Sequence, residues 1–275
     1  MIQKSVLENL HNLLDGELLF DNLHKIIYAT DASVYRKIPI AVAFPKNEND
    51  IKILIDFASK KNITLIPRTA GTSLAGQCVG DGIVVDVSKY FTKIIYFDKR
   101  SKTITLQPGI VRDELNLYLK PFGLFFGPNT STSNRCMIGG MVGNNSSGST
   151  SIKYGVTRDK VLKIEAILSD GSKAIFEEIS SDKFLEKTNQ NNLEGSIYNA
   201  IFKELSSKLT QEEIKKEFPK ETIHRRNTGY SVDEFLTSDL FGGTKSTINI
   251  AKLLTGSEGT LAFSTAITLQ LDALP

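Results

Sequence analysis

The chain is short of cysteine, of histidine and of long apolar runs, and each shortage removes a class of protein. Cys78 and Cys136 are the only two cysteines in 275 residues. They stand far apart with no CxxC pair, which argues against a disulfide-stapled scaffold and a thiolate zinc site. No stretch approaches the ~18 uninterrupted apolar residues that a membrane-crossing helix needs. Charge of one sign is also missing: 33 basic residues face 31 acidic ones, leaving +2. That balance gives no general reason to expect nucleic acid or an anionic membrane as partner. The three histidines show no metal-ligand spacing such as HxxxH. The opening MIQKSVLENLHNLLDGELLF mixes Lys4, Glu8, His11 and Asp15 into its apolar residues, so it lacks the core of a secretory signal. The expectation is a reduced, cytoplasmic chain, at most peripheral to a membrane.

The composition that remains is globular, with 40% hydrophobic and 23% charged residues, enough to bury a core. The length suits one large domain or two modest ones. Residues 1–36 read as helical, with Val6, Leu7, Leu10, Leu13 and Leu14 on one face. From Pro39 strands alternate with helices. Ile40–Phe44, Ile63–Ile66 and Ile83–Val87 read as buried strands, with a helix after Asn47 whose start, Asn47 to Asp50, resembles a capping box. This is a β-α-β unit. Lys93–Asp98 and Thr103–Gln107 follow as strands, and Val111, Leu115 and Leu119 line a helix that ends at Pro121 and Gly123. Residues 126–157 hold six glycines and little periodicity; a loop of that length inside a domain is usually functional. Leu162–Leu168 and Ala174–Phe176 read as a hairpin turned by Asp170-Gly171, both with positive φ. Ile197 to Leu209 carries one helical stripe, and Leu261 to Leu271 reads as closing strands. The end at Ala273-Leu274-Pro275, directly after a strand, looks like a cut.

Three stretches carry candidate chemistry. In the first, Arg68, Thr69, Ala70, Gly71, Thr72, Ser73, Leu74, Gly76 and Gln77 follow a buried strand. The glycines let backbone N–H groups converge, the hydroxyls add donors, and Arg68 is placed to neutralise an anion, an arrangement that suits a pyrophosphate. It is neither a Walker A loop nor GxGxxG, and by itself it weighs evenly against a plain turn. In the second, Pro128, Thr130, Ser131 and Thr132 precede Ile138, Gly139, Gly140, Asn144, Ser147 and Gly148. So many small residues let a flat ligand lie against backbone, and the embedded Ile138, Met141 and Val142 should anchor the segment. The third is the turn Glu258, Gly259, Thr260, Leu261. The cluster His224-Arg225-Arg226 has the forks to bind a carboxylate, but reads more readily as a solvated basic turn. His11 and His24 read as surface or packed residues.

Order and spacing are more specific than any one motif. PRTAGTSLAGQ, GPNTSTSNRCMIGGMVGNNSSG, KYGVTRDKV and LLTGSEGTLAF, in that order, resemble the FAD-binding domain of the p-cresol methylhydroxylase and vanillyl-alcohol oxidase group. Within it the FAD-linked 2-hydroxy-acid oxidoreductases, which act on D-lactate, glycolate or D-2-hydroxyglutarate, are the nearest in pattern. IHRRNTGYSVDEFL and LLTGSEGTLAF further resemble large bacterial FAD-linked oxidases that carry an iron–sulfur module. The resemblance covers Pro39 to the end. It implies an α+β fold of two subdomains with FAD between them: a small parallel β-α-β subdomain (37–108) and a larger, mainly antiparallel sheet with flanking helices (109–275). A helical segment (1–36) precedes them, and the substrate domain lies outside this chain. The first stretch would wrap the pyrophosphate, the second would hold the ribityl chain, isoalloxazine and part of the adenosine, and the third would close over the adenine side. Where some relatives link flavin covalently through a histidine this chain has Thr72, which implies noncovalent FAD. The implied reaction is hydride transfer from the hydroxyl-bearing carbon to flavin N5, with an iron–sulfur module or quinone as acceptor. The catalytic base is left unassigned. Alternatives of the same fold are a reductase like that for UDP-N-acetylenolpyruvoylglucosamine and a non-catalytic FAD-binding module.

Overall fold

The strand and helix alternation that starts near Pro39 folds as a four-stranded sheet. The structure, a computed structural model, describes every residue except Met1, Glu221, His224 and Thr228. In chain order the first sheet's elements are α1 (Lys4–His11), β1 (Glu17–Leu19), α2 (Asn22–Ile27), β2 (Ala41–Phe44), α3 (Glu48–Lys61), β3 (Leu65–Arg68) and β4 (Ile83–Asp86). The strand order is β1-β2-β4-β3. β2 and β3 both run parallel to β4, which is buried at all four positions, as the sequence predicts for a β-α-β unit.

The reading of residues 1–36 as helical needs correction, because β1 lies inside them and pairs antiparallel with β2. The cause is local. A Cβ at Gly16 would sit 2.2 Å from the Phe44 carbonyl oxygen, so only glycine lets the chain come this close. The fully buried Asp50 carboxylate then accepts the N–H groups of Asp15 (2.9 Å), Gly16 (3.0 Å) and Lys46 (2.8 Å). Asn47 does cap α3, accepting from the Asp50 N–H at 3.0 Å. The Asp50 side chain departs from a capping box by holding the β1 entry instead. Asp50→Ala is therefore expected to cost about 2 kcal/mol, from amides left without an acceptor. A urea melt with an unchanged midpoint would contradict this role.

The second sheet starts with β5 (Ile94–Asp98) and β6 (Thr103–Leu106), then passes α4 (Arg112–Leu119), the two-residue β7 (Leu124–Phe125) and α5 (Ile138–Asn144). It continues with β8 (Val161–Ile167), β9 (Lys173–Ser180), β10 (Thr247–Asn249) and β11 (Phe263–Gln270), and the short β12 (Asp272–Ala273) pairs with β7. The order is β10-β9-β8-β11-β6-β5, antiparallel throughout. β5 and β6 thus belong to this sheet, which corrects the expected subdomain boundary at residue 108. Ile104 and Leu106 pair with Leu269 and Ile267 of β11 and enter the larger apolar core. The smaller core packs α1 and α3 on the first sheet and also takes in Ile167 and Phe263 from β8 and β11. Apolar packing therefore runs from one sheet to the other.

Three further readings change in detail. The segment 126–157 contains α5, whose buried Ile138, Met141 and Val142 are spaced as one helical face. The β8–β9 turn needs positive φ at Gly171 alone. The stripe that ran to Leu209 breaks where Ser207 caps a new helix, Lys208–Glu217, and leaves Leu209 74% exposed. Among the described residues no helix is long and apolar enough to cross a membrane.

Candidate functional site

Three loops meet where the two sheets adjoin. The first leaves β3 at Arg68. Gly71 turns it with φ +65°, and any Cβ there would sit 2.4 Å from the Arg68 guanidinium. The Ser73 hydroxyl closes the loop by donating to Gln77 Oε1 and accepting from the Ala75 N–H at 3.2 Å. The second wall is α5 and its approach. Gly139 packs on Pro108, where a Cβ would be 2.4 Å from the ring, and Gly140 faces the first loop, where a Cβ would be 2.6 Å from Thr69 Oγ1. The third is the turn at 256–260. Its Gly256 and Glu258 N–H groups donate to the carbonyls of Val142 (2.9 Å) and Gly143 (2.8 Å). Glu258 and Gly259 both take positive φ, at 55° and 75°. Gln77 joins all three, its Nε2 donating to Asn144 Oδ1 (3.1 Å) and Glu258 Oε1 (2.6 Å).

The loops enclose a cavity of about 730 Å3. Its walls include Arg68, Thr69, Gly71, Thr72, Ser73, Leu74 and Gln77 from the first stretch and Thr130, Ser131, Thr132, Gly139, Gly140, Asn144 and Ser147 from the second, with Glu258 and Gly259 from the third. The other expected residues stand behind the walls or beside them. Ile138 is buried in the core, Gly148 packs on the Asn129 carbonyl, and Gly76 packs on the Tyr35 ring. The Pro128 carbonyl accepts from Arg112 Nε at 3.2 Å. Thr260 is held by the Ser257 carbonyl (2.6 Å) and the Tyr230 hydroxyl (2.6 Å), while Leu261 is exposed. Ala70 is off the cavity wall as well.

Arg68, on the cavity wall, is also held from behind. Its Nη1 donates to the Thr30 carbonyl at 2.8 Å, and its guanidinium lies 4.9 Å from the Tyr28 ring centroid. Both contacts tie it back to the N-terminal segment. Sequence reasoning passed over several wall residues, among them Arg135, Met137, Cys78 and Cys136. Burial pushes the Cys78 thiol up to about 11 and raises that of Cys136, so both stay protonated and unreactive at neutral pH.

The strings KYGVTRDKV and IHRRNTGY turn out to be one construction. Arg158 is buried, and its guanidinium donates to the carbonyls of Thr255 (3.2 and 3.0 Å), Arg226 (3.3 Å) and Gly229 (3.0 Å). Its desolvation lowers its pKa. Arg226 pairs with Asp233 (2.6 Å) and Glu234 (2.9 Å), so it is not a solvated charge, and Arg225 Nε donates to Ser147 Oγ at 3.2 Å. His224 lies outside the described residues. Nothing in the sequence separates Arg158 from a surface arginine; only the fold shows it. Among the described residues no group of histidines, cysteines or carboxylates is arranged to hold a metal.

Comparison with known proteins fits this geometry. Residues 39–174 match a family described as FAD binding domain. This segment is an FAD binding domain. D-2-hydroxyglutarate dehydrogenase of Escherichia coli (strain K12) is 34% identical over 263 residues, which is 94% of this chain and 25% of that protein. Glycolate oxidase subunit GlcD of Bacillus subtilis (strain 168) is 34% identical over 62% of this chain and 37% of its own length. The chain spans about a quarter of the D-2-hydroxyglutarate dehydrogenases it matches. Among solved structures, alkyldihydroxyacetonephosphate synthase superposes with a TM-score of 0.66 at 18% identity, over all of this chain and 41% of that one. Physcomitrella patens BBE-like 1 gives 0.61 at 16% identity, over 97% of this chain and 44% of its own. The two-sheet FAD fold expected from the sequence is thereby confirmed.

The cofactor of the FAD binding domain is FAD, and the cavity fits it. The volume lies in the range of sites for ligands of this kind. Gly140, exposed on the cavity wall, lets α5 come up against Thr69, where any side chain would collide and intrude on the cavity. The hydroxyls of Thr69, Thr72, Ser73, Ser131 and Thr132 and the amides of Gln77 and Asn144 give the wall polar anchors for a dinucleotide. Gln77→Leu is expected to weaken FAD binding about fivefold while changing stability little, because its two bonds are exposed and align loops without filling a core. Equal FAD affinity in the variant, by fluorescence titration, would show that the bridge positions nothing.

Proposed function

We propose that this chain is the FAD-holding part of a dehydrogenase that oxidises a D-2-hydroxy acid, with D-2-hydroxyglutarate as the leading substrate and D-lactate or glycolate types next. The observation that carries this is the joint one: the cavity is walled by the strings that resemble those of the hydroxy-acid enzymes, and relatives matched over 94% of the chain are D-2-hydroxyglutarate dehydrogenases. FAD, when bound, supplies the two-electron acceptor. Thr69, Thr72, Ser131, Thr132 and the Gly139-Gly140 backbone hold the dinucleotide, and Asn144, Ser147 and Glu258 border it. The cofactor is noncovalent, since Thr72 stands where a linking histidine would be. The wall carboxylate, Glu258, is engaged by Gln77, and the described wall has no histidine. The base that takes the substrate's hydroxyl proton is therefore assigned to polypeptide outside these residues, as the relatives' greater length allows. An iron–sulfur module or quinone as acceptor belongs to the same proposal.

The test is anaerobic bleaching of the FAD-loaded chain by D-2-hydroxyglutarate, D-lactate and glycolate, with L-enantiomers as controls. The D-acids bleach it slowly, because a missing base costs about 100-fold or more. Dithionite bleaching with none from any hydroxy acid would overturn the proposal.

A further inference from the structure

A second hollow, of about 530 Å3, lies between the start of α3 and the second sheet. No residue lines both it and the FAD cavity. Four lysines from three stretches of chain converge on it: Lys46 before α3, Lys52 within α3, Lys93 before β5 and Lys173 at the start of β9. One carboxylate, Glu48, stands among them, and the Lys173 ammonium takes it. Among the described residues Lys46, Lys52 and Lys93 form no ion pair, although the Lys46 ammonium lies 5.5 Å from the Tyr90 ring centroid. Glu17, whose carboxylate also feels Lys46, is held by Lys89 and the Tyr90 hydroxyl at 2.5 Å each. Four lysines less one glutamate leave the lining at +3, in a chain whose whole excess is +2. Hydrogen-bonding capacity is skewed the same way. Gln107 Oε1 accepts the Lys93 N–H at 3.0 Å, which leaves its amide nitrogen to donate.

We propose that this hollow binds a compact polyanion, a small molecule that carries two or three phosphate or carboxylate groups. Like charges that converge repel one another, and an anion among them turns that repulsion into attraction. Ammonium groups are point charges on flexible stems, so they close on either chemistry without the planar match that an arginine fork imposes. The volume is that of a small-molecule site. Lys46 and Lys52 come from the first sheet's side and Lys93 and Lys173 from the second's, so the ligand ties the two sheets together, as the Lys173–Glu48 pair already does. The site is independent of the substrate proposed above.

Titration calorimetry of the FAD-saturated chain with pyrophosphate and with citrate tests it, because FAD fills the first cavity and keeps the probes out. Each probe binds once per chain, more weakly as salt rises, and raises the melting temperature. Lys46→Gln combined with Lys93→Gln weakens both probes about tenfold and leaves FAD affinity unchanged. Lys216→Gln, at an exposed lysine outside the hollow, changes neither. No binding of either probe, or equal affinity in the double variant, would overturn the site. A hexaglutamate peptide that binds more tightly than both probes would overturn the small-molecule assignment in favour of an acidic protein segment.

Discussion

Replacing Arg158 with alanine is expected to destabilise the chain by about 4 kcal/mol. The guanidinium is buried and satisfies three backbone carbonyls, those of Thr255, Arg226 and Gly229. Its loss leaves these acceptors without donors, at about 1–3 kcal/mol for a buried orphan, and adds a void where the side chain was. In a chain of this length, that corresponds to a fall of roughly 10 °C in melting temperature. FAD affinity should drop as well, because Thr255 leads into the turn that borders the cavity. Arg158→Lys should recover less than half of the loss, since one ammonium cannot span carbonyls from three positions. A melting temperature of the alanine variant within about 2 °C of the original would show that the segments hold without it.

Gly140→Val should abolish FAD binding and also destabilise the chain, because the added side chain runs into Thr69. A Cβ at this position falls 2.6 Å from Thr69 Oγ1, across the gap between the loops, and the glycine is exposed toward the cavity. The added side chain therefore pushes on Thr69 and narrows the cavity wall. FAD affinity should fall at least 100-fold for valine and about tenfold for alanine, the scale of a steric conflict that rigid walls cannot relax. The melting temperature without FAD should also fall, by about 5 °C, because Thr69 must shift to admit the side chain. Gly171→Ala is the matched control. It places a side chain at φ +80° in the β8–β9 turn and meets nothing within 4 Å, so it should cost about 1 kcal/mol and leave FAD affinity alone. Equal FAD affinity in Gly140→Val would place the cofactor elsewhere.

What the sequence revealed depended on whether a signal was local. The buried run Ile83–Asp86 and the cap at Asn47 are written in consecutive residues, and both form as expected. β1 was hidden because its pairing depends on Gly16 approaching Phe44, a partner 28 positions away. The placement of β5 and β6 was hidden likewise: their alternation says strand, but the β11 partner of β6 lies more than 150 residues on, and β5 joins the sheet through β6. The glycine-bearing loops were found because closely packed backbone needs glycine and leaves its mark in composition. The roles of arginines were not legible, since Arg68, Arg135, Arg158 and Arg226 differ only in what surrounds them. One stacks on a tyrosine, one faces the cavity, one caps carbonyls and one pairs with two acids.

The most direct test of the account is a crystal structure of the chain grown with FAD. The account predicts one dinucleotide per chain, lying in the cavity walled by the 68–77 loop, α5 and the turn at 256–260. Density for FAD at any other surface, or crystals from saturating FAD with that cavity empty, would contradict it.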